Sequence, residues 1–216
     1  MADHDAMQHV ATTRLEAFSD GVFAIAITLL IIEIGVPHVT EGESLASALR
    51  DLWPSYIGYV LSFVTIGIMW MNHHELFRDI ERTDHGVVVL NLLLLMTVSF
   101  LPFPTAVFAD YINDADHRTE AMLAYSGTFF FIALAHNALW FYVARRRELL
   151  DDHVTEERIR TRSRRYIWGP VAYGSMVPLA LISPWISFGI AGGLALFYLL
   201  PLTTPALGVA TDRGGD

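Results

Sequence analysis

The chain is 216 residues long, 53% hydrophobic and 12% aromatic, with 17% charged residues and a formal net charge of -9 at pH 7. That composition excludes an ordinary soluble domain and fits a protein whose solvent is lipid, with no nucleic-acid partner expected. Cysteine is absent, so disulfides and thiolate metal sites are excluded, while the redox compartment stays open.

Residues 1–13 carry Asp3 and Asp5 and no basic residue. They lack the pattern of a secretory signal and are expected to be a cytoplasmic N-terminal segment. The first span is expected from about residue 14 to 36. Charge-free runs at 52–72, 87–109 and 121–144 are each long enough for one crossing, since about 20 helical residues span the hydrocarbon core. The run 166–211 has room for two, with Ser183-Pro184 as a turn through which neither helix continues easily. The expected fold is therefore all-α: an integral membrane six-helix bundle, with a transmembrane domain at 14–203 and a cytoplasmic tail at 204–216. A single crossing of 166–211 would give five spans and is the main topological rival.

All fourteen basic residues are arginine. On the six-span count twelve of them fall on one side, in the two termini and the loops at 73–86 and 145–165. Only Arg50 and Arg118 fall on the other. Positively charged loops resist translocation, so both termini are expected in the cytoplasm of a multi-pass cell-membrane protein. The arginines of 145–165 could bind anionic lipid head groups, but topology alone predicts the same charges and is the favoured reading. The outer segments hold eight acids (Glu33, Glu41, Glu43, Asp51, Asp110, Asp114, Asp116, Glu120). They would concentrate cations at an outer mouth, although confining arginine to the inside leaves the same surplus.

The first span differs from the others. Its charge-free run is only 21–32, bracketed by Glu16, Asp20 and Glu33, and twelve residues cannot cross hydrocarbon alone. Asp20, with Arg14 and Glu33, must be sheltered by protein or water, which predicts an interior helix. Val22, Ile25, Leu29 and Ile32 recur along one helical stripe, with Thr28 beside it. Such a stripe is either ordinary packing or the lining of a hydrophobic pore, and taken alone packing is favoured.

Residues 14–20, Arg14-Leu15-Glu16-Ala17-Phe18-Ser19-Asp20, form an R-x-x-x-F-S-D sequence at the start of the first span. Together with Gly21 to Ile25, Trp70-Met71-Asn72-His73-His74 and residues 91–102, they resemble the endolysosomal potassium channel family (transmembrane protein 175 family) and its prokaryotic single-repeat homologues. The resemblance implies a potassium-preferring cation channel, a homotetramer in membrane lipid with the first helix of each subunit at the pore. The permeant ion would be K+ with no cofactor, and no T-V-G-Y-G-like filter occurs in the sequence. Carried over position by position, the narrowest constriction falls at Ile25, with Leu29 and Ile32 further out, Thr28 as a polar layer, and Val22 in the same lining. Arg14, Phe18, Ser19, Asp20, Trp70 and His73 then look like a structural network joining the first two helices.

The alternative reading is a proton-coupled cation carrier titrating Asp20, Glu33 or His73. A membrane enzyme ranks last, because no nucleophile, base and orienter can be assembled. No metal site is expected: His73 and His74 point about 100° apart on a helix, and no third ligand stands at useful spacing.

Overall fold

The structure, a computed structural model, describes residues 2–39 and 41–199, with side chains from residue 11 onward. Its helices are α1 (Ala2–Leu29), α2 (Leu45–Asp51), α3 (Trp53–Phe77), α4 (His85–Phe100), α5 (Pro102–Tyr111), α6 (Arg118–Ala144), α7 (Glu156–Ile182) and α8 (Pro184–Leu199). A 3₁₀ turn at Arg147–Leu149 precedes α7. The expected tail at 204–216, and the end of the 166–211 run, lie outside the described residues.

Among the described residues three segments are long and apolar enough by themselves to cross a membrane: Trp53–Phe77, His85–Tyr111 and Arg118–Ala144. They match the second, third and fourth expected spans. The third is broken at Leu101-Pro102, because proline supplies no N–H to α4 and opens α5 instead. The helix tightens there, with Leu101 N donating to the Val98 carbonyl at 3.1 Å. The run after 166 divides as expected: Ser183 is extended (φ -158°, ψ 114°), the conformation proline imposes on its predecessor, and α8 starts at Pro184. With α1 and the apolar half of α7 these segments make six transverse elements. The short α2 was not foreseen. It is capped by Ser44, whose Oγ accepts from Ser47 N at 3.1 Å.

α6 is the central helix, packed on α4, α5, α7 and α8, while α3 packs on α1, α5 and α8. Trp140, Tyr125, Phe129 and Phe108 fill the middle of the bundle. Inside it Ser62 shares hydrogen bonds with Thr105 (2.8 Å) and Tyr125 (3.0 Å), which satisfies hydroxyls that find no water at that depth. α1 lies at the edge and packs on α3 and α4. The interior position expected for the first span is therefore not reached within one subunit.

The start of α4 carries a charge-dependent cap. Asp84 accepts from Val87 N at 2.9 Å, from the Tyr142 hydroxyl at 2.7 Å and from Arg146 at 3.1 Å. Partial burial opposes its charge, but those donors outweigh it and hold the carboxyl below its ordinary 3.8. A lowered folded-state pKa means the stabilisation is complete above the unfolded value and fades as pH falls through the folded one. Asp84→Asn keeps a side-chain oxygen for the cap and loses the charge. It is expected to melt lower than wild type at pH 7 and to approach wild type below about pH 3, where carboxylates are mostly protonated. A melting-temperature gap that stays constant across that range would contradict the assignment.

Candidate functional site

The two faces of α1 have opposite fates. Thr12, Ser19, Phe23, Ala26 and Leu30 are buried, and their spacings of seven, four, three and four residues define one side of a helix. Ala17, Phe18, Gly21, Ala24, Ile25, Thr28 and Leu29 form the opposite, uncovered side. Ile25 is 59% exposed, Leu29 39% and Ile32 70%. An apolar face so open on a helix end that also carries acids needs either lipid or further protein against it.

Two members of the expected stripe sit differently from the rest. Val22 is half-buried and packs against the core, on the flank of the open face. Ile32 follows the last α-helical residue, Leu29, in a tightened turn where Ile32 N donates to the Leu29 carbonyl at 3.0 Å. The Thr28 hydroxyl donates to the Ile25 carbonyl at 2.9 Å. Its proton is thus used internally, and its oxygen lone pairs are left on the open face as acceptors.

The buried face is locked by a polar chain. Asn91 Nδ2 donates to Ser19 Oγ at 2.9 Å, and Asn91 Oδ1 lies 2.9 Å from His73 Nε2. The amide oxygen can only accept, so His73 Nε2 is the donor. Ser19 Oγ in turn donates to the Leu15 carbonyl at 2.8 Å. The His73 ring lies between Phe23 and Phe77, with centroids at 5.2 and 4.4 Å. Its Nδ1 is buried and has no hydrogen-bond partner among the described residues. Nearer the arginine-rich end, Trp70 Nε1 donates to Asp20 at 2.8 Å and His74 pairs with Glu16 at 2.9 Å. Thr12 Oγ1 donates to the Glu81 carbonyl at 3.2 Å.

Of the six residues expected to form the network, Ser19, Asp20, Trp70 and His73 therefore take part in bonds between helices. Arg14 and Phe18 lie on the open side. Asn91, Glu16 and His74 complete the set and were not assigned by sequence reasoning. The signals for Asn91 were its place at the start of the resembling 91–102 segment and its being an uncharged polar residue inside an otherwise leucine-rich span. Asn91→Ala is expected to lower stability by about 1–3 kcal/mol, the desolvation penalty of a buried donor left unpaired on His73. Chemical unfolding in detergent measures it, and a change below about 0.5 kcal/mol, the scale of an ordinary surface substitution, would show that the chain does not hold α1.

A second cluster was missed entirely. Asp79, whose side chain is fully buried, meets Arg162 at 2.5 Å and Arg158 at 3.0 Å, with His153 at 3.8 Å. The Arg162 guanidinium also stands 5.2 Å over the Trp140 ring. Backbone bonds tie the same two loops together, from Glu81 N to the Leu149 carbonyl and from Asp151 N to the Asp79 carbonyl, both 3.0 Å. Part of the arginine excess after residue 145 is thus an internal clasp on the 73–86 loop. No group of three or more potential metal ligands occurs among the described residues.

The chain is thus a membrane helix bundle whose edge helix is fixed on one face by hydrogen bonds and left apolar on the other. The chain belongs to the endosomal/lysosomal potassium channel TMEM175 family, whose model matches residues 14–102. A protein from Chamaesiphon minutus named as a potassium channel is 42% identical over 198 residues, 91% of this chain and 97% of the relative. One from Streptomyces collinus, also named a potassium channel, is 44% identical over 185 residues, 86% and 90% of the two chains. The crystal structure of a lysosomal potassium-selective channel TMEM175 homologue from Chamaesiphon minutus superposes with a TM-score of 0.80 at 42% identity, covering 88% of this chain and 96% of that one. The chicken protein named endosomal/lysosomal proton channel TMEM175 is 37% identical over 135 residues, 59% of this chain and 27% of its own length.

Proposed function

We propose that this protein is a potassium-preferring cation channel, a homotetramer in which α1 of each subunit lines the pore. The observation that carries the reading is the open apolar face of α1, opposite a face fixed by the Ser19–Asn91–His73 chain. Four such faces around one axis would cover each other and enclose a path, which removes the exposure of Ile25, Leu29 and Ile32. Ile25 is the tightest ring, Thr28 offers acceptor oxygens beside it, and Val22 flanks the lining. Selectivity comes from partial dehydration of the ion at an apolar ring rather than from carbonyl ligands. In this reading residues 14–203 form the channel domain and both termini are cytoplasmic.

The names of the bacterial relatives support potassium as the permeant ion. Purified protein in liposomes is expected to pass potassium down its gradient, and subunit counting in detergent is expected to give four. A monomer, or vesicles that stay tight, would overturn the proposal.

The names of the vertebrate relatives favour a second reading, in which protons pass as well. Vesicles holding a pH-sensitive dye distinguish it, because a proton current persists without potassium. A carrier titrating Asp20, Glu33 or His73 has less support. Asp20 is bonded to Trp70, His73 is enclosed by Phe23, Phe77 and Asn91, and Glu33 lies beyond the end of α1, thirteen residues from Asp20.

A further inference from the structure

Away from the open face of α1, a cavity of about 530 Å³ lies between α3, α6, α7 and α8. That volume falls within the roughly 300–1,000 Å³ of small-ligand sites. Its walls are mainly apolar, among them Ile68, Leu94, Ile132 and Phe197. Two buried polar tips interrupt them. His136 Nε2 and the Tyr166 hydroxyl are out of contact with solvent and make no hydrogen bond to any described residue. Their rings meet edge to face with centroids 5.0 Å apart, and both residues line the cavity. Arg165 also lines the cavity. It is an exposed cation on the arginine-rich half of α7 and forms no ion pair with a described residue. Trp168, 67% exposed, stands on the outer side.

Orphaned polar groups inside an apolar cavity are costly unless a ligand completes them. In a membrane bundle the abundant molecule with a long apolar part, an acceptor oxygen and a negative head is lipid. We propose that the cavity holds an acyl chain of an anionic phospholipid, with an ester carbonyl between Tyr166 and His136 and the phosphate at Arg165. The ester carbonyl accepts from the Tyr166 O–H and from His136 in its Nε2-protonated tautomer. The apolar walls take the chain, and Arg165 meets the phosphate as a charge-assisted pair. The site backs onto Phe23, on the face of α1 opposite Ile25, and its occupancy is independent of whether α1 conducts.

Native mass spectrometry and melting curves of the whole purified protein, delipidated and then given phosphatidylglycerol or phosphatidylcholine, test the site. Wild type is expected to retain phosphatidylglycerol preferentially and to melt higher with it. Arg165→Gln should abolish the preference between the two lipids. Tyr166→Phe should weaken phosphatidylglycerol by about tenfold, the upper end for one neutral hydrogen bond. It should also raise the melting point of the delipidated protein, because the orphaned hydroxyl is gone. Gly169 lines the cavity and a Cβ there meets only the Asn137 amide nitrogen, at 4.0 Å, so Gly169→Leu should take up cavity space and prevent retention of either lipid. Retention unchanged in Gly169→Leu, a lipid preference unaltered in Arg165→Gln, or phosphatidylglycerol retention unaltered in Tyr166→Phe would overturn the proposal.

Discussion

Ile25→Ala is expected to raise potassium flux through reconstituted protein by about tenfold, which corresponds to about 1.4 kcal/mol removed from the barrier. Ile25 is the most exposed of the large apolar side chains described on α1, 59% exposed on the face opposite Phe23 and Ala26. In a fourfold ring its branched side chain would set the narrowest, driest layer. Water and ions avoid such a layer for the same reason that apolar surface avoids water. Shortening the side chain widens the ring and admits water, so flux rises while the preference for potassium over sodium falls. Ile25→Asn should relax selectivity further by giving the ion amide oxygens in place of methyl groups. Val22→Ala is the control: Val22 packs half-buried against the subunit's own core, so its loss should change flux by less than about twofold, a small fraction of one tenfold step. Flux and selectivity measured in liposomes decide the matter, and indifference to Ile25 would remove the pore from this face of α1.

Asp79→Asn is expected to destabilise the protein by about 3 kcal/mol, the lower end of the range for removing one partner of a buried ion pair. The carboxylate has no solvent exposure, and the Arg162 side chain is only 11% exposed. Neutralising Asp79 therefore leaves the Arg162 guanidinium against Trp140 with only the longer pair to Glu75, at 3.6 Å, to balance it. Arg158 contributes less, because its side chain is 49% exposed and water screens the pair. Arg158→Ala should cost under about 1 kcal/mol, as exposed pairs do. Unfolding in detergent with both variants side by side measures the difference. Equal small losses would mean that the backbone bonds between the two loops, and not the charges, hold the clasp.

The clasp also changes how the arginines after 145 are understood. Their number agrees with topology, which counts only charge per side. Arg162 and Arg158 nevertheless have a packing role that no count reveals, because their partner is Asp79, 83 and 79 residues away in the chain. The polar lock on α1 was partly visible, since Ser19, Asp20, Trp70 and His73 stand in a recognisable pattern. Asn91 joins two of them across 72 and 18 residues and could not be paired from a linear reading. Arg14 and Phe18 belong to the same sequence pattern, yet within the subunit they sit on the uncovered side.

By itself the sequence determined the membrane as solvent, the crossings between residues 53 and 144, the turn at Ser183-Pro184 and the weakness of the first span as a lipid-facing helix. These follow from local chemistry: run length against bilayer thickness, proline against helix continuity, and charge against hydrocarbon. Tertiary structure decided which side of α1 is covered, where Val22 and Ile32 fall relative to the stripe, and which arginines are internal. A helical period says that residues share a face but not what that face meets, since α1 presents apolar residues on both sides. Burial of Phe23 and Ala26 and exposure of Ile25 are settled by the hydrogen bonds and packing that α3 and α4 supply from far along the chain.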